Sequence, residues 1–176
     1  YPLPGMSTET VEQVTRFKKL VFPKDLPTSA PVAKRPAELV LHYHAVPGRV
    51  FDNLCYSPTY THDAHQLTHQ TRYPSMAIAH HYWVPLMLLG WGADPLNSMI
   101  TGWCSWDTWV TVNDPKIVIT IMADLPNMNL KPLQGPSTHL GVPDGWAMDT
   151  FTRLQRFYGA AAHRGDGVVI TAELRE

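Results

Sequence analysis

Nine histidines are the first residues in this chain that could do chemistry. His42 and His44 form an HxH pair inside LVLHYHAV. His62, Asp63, His65 and His69 crowd into THDAHQLTHQ, and His80 and His81 follow as neighbours. Residues two apart on a strand face the same side, and residues four apart on a helix share a face. His42 with His44, and His65 with His69, therefore have the right spacing to offer nitrogen ligands to zinc or non-haem iron. The remaining ligands fall at no metal-binding spacing, and Glu38 is the one glutamate nearby. Hydrogen-bonded or interface histidines are the simpler reading. The expectation is a chain without its own metal or cofactor, with His42, His44, His62, His65 and His69 as the candidate ligands of the rival reading.

Other catalytic signatures are absent. The chain has no GxSxG elbow, no QACxG-like cysteine context and neither GxGxxG nor GxxxxGK[ST]. Cys104, set among tryptophans, reads as a small buried hydrophobe. Arg164 to Gly167 spell RGDG, which reads as a tight turn before a strand rather than as a ligand motif. Trp103, Trp106 and Trp109 recur at helix-like spacing, a stripe that fits core or interface packing better than a cofactor cradle.

The elements that would position these residues follow from local pattern. STETVEQVTRFKKLVF carries apolar residues at helical spacing behind Ser7, and predicts a short amphipathic helix. Prolines 23, 27, 31 and 36 then impose an extended arm. AELVLHYHAV alternates like a strand with one drier face, ended by Pro47-Gly48. Residues 49–73 read as a long loop with one helical turn. SMAIAHHYWVPLML is the next strand, with Pro85 making part of it an edge. NSMITGW predicts a strand, CSWDTWVTVNDP a short helix opened by Ser105, and the β-branched KIVITIM a strand. Beyond Asp124 the chain turns irregular, then predicts a short helix in TFTRLQRFYGAA closed by Gly159 and a late strand in GVVITAELRE.

Composition narrows the function classes. Hydrophobic residues make up 44% and charged residues 16%, with six tryptophans and seven tyrosines. Soluble domains usually carry about 25% charge, so a chain this lightly charged fits an exterior partly covered by partners. A formal net charge of −1 gives no footprint for nucleic acid or an anionic membrane. No apolar run reaches the roughly 18 residues of a membrane span. Cys55 and Cys104 are too few for a disulfide framework and fit a reducing compartment, although one bridge between them is compatible with the sequence. The start at Tyr1 suggests that a signal peptide, transit peptide or upstream polyprotein portion has been removed.

One stretch, WVPLMLLGWGADPLNSM, resembles the signature of a known family. Trp83, Pro85, Leu86, Met87, Gly90, Trp91, Asp94, Pro95, Leu96 and Met99 are similar to the W-x-x-P-L-M, G-W and D-P-L pattern of the AQDQ-type accessory subunit of mitochondrial NADH:ubiquinone oxidoreductase, respiratory complex I. LVLHYHAVPGR resembles the family's early strand and turn, with Arg49 in the place of its arginine. The resemblance spans residues 37–124, and after the motif it implies the order strand, helix, strand. The Gln-Ser-Gly that usually follows the arginine and the family's basic C-terminal tail are missing here, so regulation through that tail is not implied.

Taken together, these readings predict an α+β fold: a small, mostly antiparallel sheet with one packed helix, flanked by extended arms. The divisions are an N-terminal helix and proline-rich arm (1–36), a core domain (37–124) and a C-terminal extension (125–176). The resemblance implies a non-catalytic subunit on the matrix side of the mitochondrial inner membrane, without a membrane span. It would fix the electron-input module to the iron–sulfur subunits, whose FMN and clusters belong to neighbouring chains. The alternatives are a histidine-dependent metalloenzyme and a capsid-like polyprotein product.

Overall fold

Val168, Val169 and Ile170 are consecutive and fully buried, so the strand that holds them needs cover on both faces. The computed structural model describes residues 38–67, 70, 72–80, 95–107, 110–131 and 145–175. It places this strand, β5 (Gly167–Arg175), in the middle of a five-stranded sheet. The others are β1 (Glu38–Val46), β2 (Ser75–His80), β3 (Cys104–Asp107) and β4 (Val110–Asn113), in the order β2-β1-β5-β4-β3. Every pairing is antiparallel. Among the described residues six helical segments accompany the sheet: α1 (Gly48–Tyr56), α2 (Tyr60–Gln66), α3 (Leu96–Thr101), α4 (Pro115–Asp124), a 3₁₀ turn (Leu125–Asn127) and α5 (Trp146–Arg164).

The fold is α+β with an antiparallel sheet, and it carries several helices where the sequence predicts one. α3, α4 and α5 cover one face, burying Met99, Ile121, Leu154 and Tyr158 against Leu41, Tyr43, Val168 and Ile170. On the opposite face, Phe51 of α1 and Ala64 of α2 pack with Val46, Val110, Val112 and Val169. The face of β1 with Leu41, Tyr43 and Ala45 is the drier one, as expected, while the other face holds half-buried His42 between buried Val40 and His44.

Three expected elements have the opposite type. KIVITIM is the helix α4, not a strand: Asp114 caps it by accepting the Ile117 N–H at 2.8 Å, Pro115 opens it, and Val118, Ile121 and Leu125 bury at helical spacing. A good N-cap and a helical burial period outweigh β-branched propensity here. Within CSWDTWVTVN, Cys104–Asp107 and Val110–Asn113 are the antiparallel strands β3 and β4, not a helix, with Cys104 opposite Val112 and a register shift between Ser105 and Asp107. NSMITGW falls largely in the helix α3, which Gly102 ends at φ 81°. A side chain at that φ is strained, and a Cβ on Gly102 would also run into Thr111.

The predicted loop over residues 49–73 contains two helices, α1 and α2. α5 runs through Gly159 to a Schellman turn at Gly165, where the Gly165 N–H donates to Ala162 O and the Asp166 N–H to Ala161 O. RGDG is indeed this turn into a strand: Arg164 Nε donates to Asp166 Oδ2 at 2.7 Å. The division at residue 124 does not separate a core from an extension, because α5 supplies much of the main core and β5 joins β1 to β4. The predicted N-terminal helix and proline-rich arm lie outside the described residues.

Candidate functional site

The histidines are sorted by the fold into separate places. His42 and His44 share one sheet face, with ring centroids 6.4 Å apart and planes 15° from parallel. His42 Nε2 meets Glu173 Oε2 of β5 at 2.9 Å. His44 is buried, and its Nε2 has no hydrogen-bond partner among the described residues. Burial, and secondarily the charge of His42, push the His44 imidazole down to about 4, so it is neutral at ordinary pH. His62 is exposed on α2 and His65 half-buried beside it. His69 lies outside the described residues. Among the described residues no group of three His, Cys, Asp or Glu side chains could hold a metal ion. The HxH pair is real as geometry, and its carboxylate neighbour is Glu173 of the C-terminal strand rather than an acid near it in sequence.

The best-defined polar arrangement lies on the other side of the sheet, around the C-terminal turn of α3. The last carbonyls of a helix have no intrahelical partner and must find one elsewhere. Here Thr101 Oγ1 donates to Asn97 O at 2.8 Å and Asn113 Nδ2 to Ser98 O at 2.8 Å. Tyr158 OH donates to Met99 O at 2.7 Å, and Tyr43 OH to Ile100 O at 2.7 Å. Asn113 Nδ2 also reaches Tyr158 OH at 3.1 Å, and Asn113 Oδ1 accepts the Trp103 N–H at 2.8 Å. One short helix is thus clamped by β1, β4 and α5 together.

Tyr43, Asn113 and Tyr158 are each fully buried. Burial raises both phenols well above the usual tyrosine range, so they stay protonated and able to donate. This clamp was not legible in the sequence. Its tyrosine bonds span 45 to 59 residues of sequence, and the two tyrosines are ordinary-looking within apolar patterns.

The clamp holds one end of the motif that carries the family resemblance. Pro95, Leu96 and Met99 are buried at its root. Trp83, Pro85, Leu86, Met87, Gly90, Trp91 and Asp94 lie outside the described residues. Arg49 is exposed in the first turn of α1, in a helix rather than in a loop after the strand. Of the tryptophan stripe, Trp106 packs between Phe51 and Tyr60, at centroid distances of 5.8 and 5.5 Å. That is a packing role on a strand, not on the helix their spacing suggested. Trp109 lies outside the described residues.

No protein-family model matches the chain, and no curated protein matches it in sequence. Among solved structures it is similar to YfbM from Escherichia coli, described as a protein of unknown function. The TM-score is 0.55 at 14% identity, covering 76% of this chain and 99% of that one. At such low identity the likeness concerns the fold alone.

Proposed function

We propose that this chain is a non-catalytic accessory subunit that works by docking onto protein neighbours, and that its assembly is the matrix arm of mitochondrial NADH:ubiquinone oxidoreductase. The observation that carries the docking part is the clamp on α3. Three successive carbonyls, of Ser98, Met99 and Ile100, are tied to other elements of the core shortly after WVPLMLLGWGAD in the sequence, a run dense in apolar and aromatic residues. An aromatic, weakly charged segment rooted on a rigid base suits burial against a partner better than contact with water. The buried tyrosines and asparagine serve structure, and His42 is engaged by Glu173.

The identity of the assembly rests on the ten motif residues from Trp83 to Met99. The order of elements does not add to it, because the chain after Pro95 runs helix, hairpin, helix where the resemblance implies strand, helix, strand. In this role the chain contributes position and rigidity, while FMN and iron–sulfur clusters belong to its neighbours. Affinity-tagged wild-type and Trp91→Ala chains, expressed in cells of the source organism, test the reading by what they retain. The wild-type chain is expected to bring down flavin and iron–sulfur subunits, and the variant to lose most of them. Equal recovery by both would contradict the role given to the motif.

A further inference from the structure

β1 is an inner strand, paired with β2 along one edge and β5 along the other. A strand held on both sides gives its side chains fixed starting points. His42 and His44 leave it on one face, in register with Ala77 and Ser75 of β2 and with Thr171 and Val169 of β5. The two rings lie 15° from parallel, with centroids 6.4 Å apart. His44 is only 4% exposed, and its Nε2 has no hydrogen-bond partner among the described residues, whereas a buried polar atom normally has one. His42 is open to solvent on the side of Glu173: the two side chains are 16% and 45% exposed, and His42 Nε2 stands 2.9 Å from Glu173 Oε2.

We propose that His42 and His44 together bind one divalent transition-metal ion such as Zn²⁺, with Glu173 as the carboxylate that orients the His42 ring. A neutral imidazole carries its proton on one nitrogen and offers a lone pair on the other. With the His42 Nε2–H donating to Glu173, Nδ1 is left to ligate, in the carboxylate–histidine–metal order that fixes tautomer and ring orientation. The ion in turn gives the orphan Nε2 of His44 its partner. Two imidazoles at about 2.0–2.1 Å from a shared ion set their ring centroids about 5–6 Å apart, so the pair has roughly 1 Å to close.

Among the described residues no third His, Cys, Asp or Glu side chain joins the two on the ion. Water fills the remaining positions, and binding is weaker than at a closed four-ligand site. Two imidazoles select zinc, copper or nickel over magnesium and calcium, which prefer oxygen.

The test is calorimetric titration of Zn²⁺ into the full, tag-free chain after treatment with a chelator, at neutral pH. The expected result is one ion per chain with a micromolar dissociation constant, and no heat from Mg²⁺. His42→Ala, at a half-buried position, is expected to keep the fold by circular dichroism and to lose the site. Glu173→Gln, at an exposed position, should weaken binding by about 10–100-fold. His65→Ala, on α2, should leave it unchanged. A wild-type chain that takes up no zinc, or a folded His42→Ala chain that binds it as the wild type does, would overturn the proposal. Loss of binding in His65→Ala would do the same, and unchanged affinity in Glu173→Gln would overturn the role of the carboxylate.

Discussion

His44 makes stability depend on pH in a direction that can be worked out. Its pKa is about 4 in the folded chain against 6.5 for an ordinary histidine, because the buried site favours the neutral ring. Above pH 6.5 both states are neutral and the folded chain keeps its full stability; as pH falls toward 4 only the unfolded chain takes up the proton. Urea unfolding is expected to show a loss of about 2 kcal/mol between pH 7 and pH 5 from this group. A His44→Leu chain should lack that part of the slope, and an unchanged slope would contradict the burial of a neutral ring. The clamp is tested by Tyr158→Phe, which removes the donor to Met99 O and an acceptor for Asn113. It should lower stability by about 1–3 kcal/mol, and combining it with Asn113→Ala should be less than additive because the two side chains touch. The HxH pair was legible in the sequence because alternation alone puts His42 and His44 on one face. Its engagement by Glu173 was not, because 131 residues separate the partners.

Elements whose local signals agreed were readable, and those whose signals conflicted were misread. β1, β2 and β5 combine β-rich composition with clear ends, and all three stand in the sheet. KIVITIM carried two opposed signals, β-branched residues and an Asp-Pro start, and the cap decided it. In CSWDTWVTVN the tryptophan spacing imitated a helix, while the alternation within VTVN, whose residues are all buried, belonged to β4. α1 and α2 were hidden because each is short and set among polar and aromatic residues, although Val50, Phe51 and Leu54 of α1 do share one helix face. The division at residue 124 failed for a topological reason: the last strand returns to the middle of the sheet, and no local pattern announces that. A fragment of residues 37–124 therefore lacks β5 and α5 and is expected to stay unfolded by circular dichroism. A cooperative thermal transition in that fragment would contradict the single-core reading.

At the scale of the whole molecule, one antiparallel sheet carries helices on both faces, in a fold similar to that of YfbM. No helix among the described residues is long and apolar enough to cross a membrane. The polar groups of the core hold elements together, as the clamp on α3 does. The central claim is that this chain serves as a structural part of a respiratory assembly, and the direct measurement is native-gel migration of solubilised mitochondria from the source organism with mass spectrometry of the band that contains it. The account predicts co-migration with flavin and iron–sulfur subunits in a megadalton band. Migration as a free monomer, with that band intact and lacking this chain, would contradict it.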